Sequence, residues 1–427
     1  MTEVRATMTM VGAAVALVIT AWTTMPRPIV PGVFADVGAS FFPEFSDASL
    51  ASSLEAVEFD EQTATARPFK VQVQNGLWTI PSHFNYPADG HDRLAKTAAA
   101  IMALRKDSVA SEQIIDQERT GTLDPLDETL PNLQGRGSRV IIRGAQERVL
   151  ADVIIGKPLE HRAGYRYVRL PQQQRIYVAE TRDLDISTQF ADWIEPDLLQ
   201  LEWDDVDQVI IRDYSFNEAT RGVAVRDTLY IQKAGTDGWS LRGGTAGEGI
   251  DTFKMNLLVT TLDQLSIIGV RPKPAGLSEG LVTASGSLGV SKNDVRDLAS
   301  KGFYFTPAGQ LLSNEGDVLV HTRDGVFYSL RFGEITDEEA DAPASVGLKP
   351  AGAAAARSSA GAGPNRYLFV SVAVDRTAAP EGVAAAAVAK RAAILRARFA
   401  PWYYIISGES FERIRLQRKD LVKTRTP

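Results

Sequence analysis

Apolar residues recur along the chain in two rhythms, and the same succession of rhythms occurs twice. From Phe69 an alternation runs through Val71 and Val73, breaks at Asn75-Gly76, and resumes at Leu77-Trp78-Thr79-Ile80. A period of two on both sides of an Asn-Gly pair predicts a β-hairpin. After Asp89 the period lengthens, and Leu94, Ala98, Ile101 and Leu104 fall on one face of a helix. The second pass alternates from Leu229 through Ile231, turns near Gly235 and resumes at Trp239. From Asp251 it places Met255, Val259, Leu262 and Leu265 at a constant offset from the first set. Trp78 and Trp239 hold matching places, each ending a hairpin ahead of the helix, which reads as buried core; tandem tryptophans lining a glycan or peptide groove is the competing reading.

Lead-in and sequel repeat as well. Leu54–Asp60 resembles the alternating run Val206–Arg212. Downstream, Arg139–Arg143 and Leu150–Gly156 resemble Asp317–His321 and Val326–Gly333. Tyr165–Leu170 and Arg175–Ala179 are echoed by Arg366–Val372 and Trp402–Ile406, and short helices are predicted at Phe190–Leu199 and Phe411–Leu421. Successive short turns between strands predict mostly antiparallel sheets. The fold class expected is α+β: an N-terminal transmembrane helix, then two tandem repeats of a hairpin–helix–antiparallel-sheet unit. The division is an anchor at 1–25, a spacer at 26–53, a first repeat at 54–205 and a second at 206–427. An insert at 336–364, acidic and then nearly all Ala, Gly, Ser and Pro, reads as disordered. The spacer's Phe41-Phe42-Pro43-Glu44-Phe45 should dock on the body, and Glu381–Phe399 should be a helix with a Val388, Ala392, Leu395, Phe399 seam.

The N-terminus changes the picture. Ala6–Pro26 is 21 residues without a charge, close to the ~20 that span a bilayer core as a helix. Trp22 stands at an interfacial position, and Pro26 and Pro28 stop the helix. The expectation is a single-pass anchor in the cytoplasmic membrane with the remaining chain on the extracytoplasmic, periplasmic side. A cleaved signal peptide is the competing reading, with a weak small-residue site at Ile19 and Ala21.

Composition narrows the chemistry. The 427 residues include no cysteine, which removes disulfides and thiolate chemistry. From Lys390 onward there are ten Lys and Arg against three Asp and Glu, so the overall −7 divides into +7 for the tail and −14 for residues 1–389. An acidic body argues against nucleic acid as a partner; the basic tail suits a solvated helix face, lipid headgroups or an acidic partner. His83, Asp89, His91 and Asp92 resemble a metal cluster, although Asp89 and Asp92, like Asp251, also stand where caps and first-turn acids belong. Gly243–Gly249 is glycine-rich but lacks the lysine of a phosphate cradle. Ser285, Ser287 and Ser291 lack a nucleophile-elbow pattern, with His321 on a predicted strand. Asp204-Asp205 and Glu338-Glu339 read as solubilising pairs. No catalytic, cofactor or metal residue is assigned, and the expectation is a protein that is not an enzyme.

Five motifs stand out in combination: Asn75-Gly-Leu-Trp-Thr-Ile-Pro-Ser-His83, Tyr86-Pro-Ala-Asp-Gly90, Leu123-Asp-Pro-Leu-Asp127, Ile154-Ile-Gly-Lys157 and Tyr165-Arg-Tyr-Val-Arg169. Through them the chain resembles the bacterial family called domain of unknown function 4340. The resemblance runs from Gly38-Ala-Ser-Phe-Phe-Pro-Glu-Phe45 to Asp420-Leu-Val422. The resemblance implies a single-anchor envelope protein encoded beside ABC transporters of the gliding-motility type. It brings no catalytic or ligand residues. The expected function is a non-enzymatic accessory or scaffold subunit of an ABC-type transport complex, with its permease or other envelope proteins as partners. The alternative is a free-standing module that binds an envelope polymer or peptide.

Overall fold

The computed structural model describes residues 36–89, 91–217, 220, 222–235, 238–245, 247–277, 280–281, 289–336, 363–375 and 383–424. The first half supplies β1 (Ser53–Asp60), β2 (Thr65–Gln74), β3 (Leu77–Ile80), β4 (Tyr86–Pro87), β5 (Ser108–Ser111), β6 (Ser138–Arg143), β7 (Val149–Pro158), β8 (Tyr165–Arg169) and β9 (Ile176–Glu180). These form one sheet in the order β4-β3-β2-β1-β6-β7-β8-β9-β5. The second half supplies β10 (Val206–Asn217), β11 (Gly222–Ala234), β12 (Gly238–Arg242), β13 (Glu248–Ile250), β14 (Gly269–Pro272), β15 (Phe303–Phe305) and β16 (Leu311–Ser313). It continues with β17 (Asp317–Thr322), β18 (Val326–Thr336), β19 (Asn365–Val374), β20 (Trp402–Ile406) and β21 (Val422–Thr424). Its large sheet runs β12-β11-β10-β17-β18-β19-β20-β14, and β13-β21 and β15-β16 form two small pairs. From β3 to β5 and from β12 to β14 the two strand orders correspond place by place, all neighbours antiparallel.

The expected fold class is corrected. The chain is mostly β-sheet, 41% strand against 24% helix. The strands run long, β11 to 13 residues, while the helix crossing each half is short: α1 (His91–Ala103) and, in the second half, α3 (Thr252–Asp263). The remaining helices are α2 (Asp116–Thr120), α4 (Lys292–Ser300), α5 (Val383–Phe399), α6 (Gly408–Ile414) and α7 (Arg418–Leu421). Of the stretch expected to be helical at 190–199, only Phe190–Trp193 is, as a 3-10 turn. Pro196 disfavours helical backbone at Glu195.

The membrane expectations are corrected too. Among the described residues no helix is long and apolar enough to cross a membrane. The longest, α5, has 17 residues and carries Lys390, Arg391, Arg396 and Arg398, too short and too charged for a ~30 Å hydrocarbon core. Single-pass anchoring and the periplasmic location inferred from it are therefore unsupported. The segment read as the anchor, 1–25, and most of the insert lie outside the described residues.

Local sequence explains the elements that position the core. Asn75 and Gly76 both have positive φ, 52° and 79°, the geometry that lets a two-residue turn match the strand twist between β2 and β3. Asp251 caps α3 by accepting from the Lys254 N–H at 3.3 Å. The two helical stripes, Leu94, Ala98, Ile101, Leu104 and Met255, Val259, Leu262, Leu265, are all buried. Each large aliphatic side chain among them stabilises the fold by about 1.5–3 kcal/mol relative to exposure. Phe41 and Phe45 are buried, with Phe41 edge-on to Tyr177 at 5.3 Å. One contiguous apolar cluster runs from Phe41 to Leu421 and includes residues of both large sheets. Tyr86 of β4 meets Trp402 of β20 at 5.3 Å. A second cluster, built on Leu298, Phe303, Phe369 and Tyr403, lies on the opposite face of the second sheet.

Candidate functional site

The residues singled out in the sequence are mostly placed in structural roles. His83 is buried and stacked on Phe190 at 4.1 Å, with Ser82 Oγ 3.0 Å from its Nδ1. Asp89 is exposed, and its N–H donates to the Trp193 carbonyl. The side chains of His91 and Asp92 lie outside the described residues, and among the described ones no group of three His, Asp or Glu is arranged to hold a metal ion. The glycine-rich loop enters β13, and Glu248 pairs with Arg418 at 3.6 Å. Ser291 caps α4; Ser285, Ser287, Glu338 and Glu339 lie outside the described residues. His321 Nδ1 lies 3.1 Å from Asp375. Asp204 and Asp205 lie 3.8 Å from Lys233 and 3.7 Å from Arg323. Trp239 is buried and donates to Asn256 Oδ1 at 2.9 Å, whereas Trp78 is half-buried against the core.

The basic C-terminal region folds back onto the acidic body. Arg391 pairs with Asp324, Arg415 with Asp213 at 2.7 Å, Arg418 with Asp227 at 2.8 Å and Lys423 with Asp251 at 2.7 Å. Arg398 donates to the Asp197 carbonyl. Part of the charge asymmetry of the sequence is thus spent within the fold.

A polar row that sequence reading passed over crosses the outer face of the second sheet. Arg212 of β10, Asp317 of β17, Arg331 of β18 and Phe369 of β19 are successive cross-strand partners. Asp317 is fully buried; it accepts from Arg212 Nε at 2.6 Å and Nη2, and from the Tyr214 hydroxyl at 3.2 Å. Gly316 places it, because a Cβ there would collide with the Arg212 carbonyl. Burial foremost, then the Asp317 charge, pushes the Tyr214 phenol up to about 12, so it remains a donor at neutral pH. Burial pulls the Arg331 guanidinium down, yet an arginine stays charged in a protein. Next to the row, burial works to raise the Asp213 carboxyl, but hydrogen bonds from Arg226 and Arg415 outweigh it and hold the group below its usual range. Carboxylates committed to guanidinia are poor proton acceptors, so the arrangement is suited to holding charge rather than to moving protons. The one signal in the sequence was an arginine inside the apolar run Val326–Phe332, where a buried strand has no evident use for charge.

No match was found among curated proteins or solved structures. Residues 78–280, which span the first half from β3 onward and the second as far as β14, match the family model described as a domain of unknown function, DUF4340, the family that the sequence resembles.

Proposed function

We propose that the protein is a non-enzymatic scaffold, an accessory subunit of an ABC-type transport complex. The observation that carries the reading is an apolar pair on the outside of α3. Phe253 is 77% exposed, with Leu257 one turn further along. The aligned helix of the first half has Asp92 and Lys96 at these places. A large exposed aromatic beside a second apolar residue has the character of a protein-contact anchor, and the change from charged to apolar confines it to one half. The structural roles taken by the described sequence candidates also fit a body that binds rather than reacts.

The test is cross-linking and affinity capture of the full chain from its native cells, with identification of co-purified proteins. Permease and ATPase subunits should be recovered, and Phe253→Lys should cut their yield by about tenfold, a loss of ~1.4 kcal/mol. Capture without transporter subunits would sink the reading. A second reading, a module binding a polymer or peptide, is favoured by a groove of about 310 Å³ beside α5, lined by Gln200, Ala387, Lys390, Arg391, Ile394 and Leu395. The tryptophans give it no support, since neither is exposed.

A further inference from the structure

We propose that Arg331 and Ser329, on the outer face of the second sheet, hold a small oxyanion, a carboxylate or phosphate group. Because the strand orders correspond, the two halves can be compared row by row. The first-half counterpart of Arg212–Asp317–Arg331–Phe369 is Val57–Arg139–Ile154–Arg169. The first half shows how this fold satisfies a structural arginine. Arg169, 5% exposed, donates to the carbonyls of Thr122, Leu170, Pro171 and Gln173. Arg139 is held by Asp152 at 2.7 Å and Asp124 at 2.9 Å.

Arg331 has no such arrangement. It is 5% exposed, and its Nε and Nη1 are buried without an acceptor in the protein. Ser329 Oγ, two residues away on the same strand face, is buried and equally unpaired. The carboxylate of the row is already bonded to Arg212 through both oxygens, so two guanidinia face one negative charge. A buried cation left without a hydrogen-bonding partner costs several kcal/mol, and a bound anion removes that cost with charge-assisted bonds. The occupant is small, because Phe303 packs edge-on against Phe369 at 4.6 Å and closes that end of the row. At the other end of the row the Arg212 side chain is 37% exposed. This inference does not depend on the scaffold reading.

Thermal unfolding of the full chain at constant ionic strength tests it, with chloride replaced by inorganic phosphate in one arm and by acetate in the other. One anion should raise the Tm by about 2 °C or more at roughly ten times its Kd. The preferred arm tells a phosphate group from a carboxylate. Arg331→Met should abolish the rise, and Ser329→Ala should shift it to higher anion concentration. Ile154 fills the equivalent place in the first half, so an unbranched apolar side chain at 331 should be accommodated. If neither anion acts beyond the chloride control, or if R331M responds like the parent protein, the donors are served by buried water and the site does not exist.

Discussion

Asp317→Asn should be among the most destabilising single-atom changes available in this protein. The carboxylate is fully buried, is bonded to Arg212 through both oxygens, accepts from Tyr214, and lies between Arg212 and Arg331 in the cross-strand row. Asparagine keeps the shape and removes the charge, leaving two guanidinia uncompensated. Breaking a buried pair costs about 3–5 kcal/mol. The partial exposure of Arg212, 37%, lets water recover some of that, so the expected loss is about 3 kcal/mol. Urea unfolding followed by tryptophan fluorescence reads it as a midpoint shift of about 1 M or more, for a slope of about 3 kcal/mol per M. Asp152→Asn is the internal control. Arg139 keeps Asp124 at 2.9 Å, so the cost there should be only about 1–2 kcal/mol. Adding Arg331→Met to Asp317→Asn should restore at least about 1 kcal/mol, since the two changes are coupled through one charge. An Asp317→Asn protein within about 1 kcal/mol of the parent, or no more affected than Asp152→Asn, would refute the assignment of Asp317 as the charge that holds the row.

Two further outcomes follow from burial. Tyr214 and Tyr328 are pushed up to about 12, chiefly by burial. A raised folded-state value favours the neutral phenol, so this stability is complete below the unfolded value of ~10 and is lost as pH rises through about 12. Burial also pushes the Tyr404 phenol well above its ordinary value, so phenolate absorbance should show at least these three tyrosines titrating together with alkaline unfolding; titration of every tyrosine near pH 10 in the folded protein would contradict it. Trp239→Ala should cost about 3–5 kcal/mol, and Trp78→Ala clearly less, because only Trp239 is buried and hydrogen-bonded. Equal losses in denaturant unfolding would show that the two half-units pack their tryptophans alike.

Much of the strand content was legible because period-two alternation survives wherever one face of a sheet is covered. β2, β3, β8 and β9 lie close to where the alternation puts them, and the two helical stripes are buried position for position. The closing helix at 190–199 failed because an apolar run of that length packs equally well as irregular chain, and Pro196 decided against helix. The basic tail misled in another way. Its charge was visible, but its acidic partners Asp213, Asp227, Asp251 and Asp324 lie between 67 and 202 residues away.

What the sequence by itself determined is the local grammar: the Asn75-Gly76 turn, the Asp251 cap, the paired apolar stripes, the absence of thiol chemistry and the family resemblance over the matched segment. These depend on residues within a few positions of one another, so pattern suffices to find them. The balance of sheet over helix, the large apolar cluster shared by both halves, and the Arg212–Asp317–Arg331 row were decided by tertiary structure alone. The row joins three strands whose residues are 105 positions apart at its first link, and its register depends on turns and bulges between them. On one strand, Arg331 is a misplaced charge in an apolar run; only when β10, β17 and β18 align does it become a buried guanidinium beside a carboxylate already committed elsewhere.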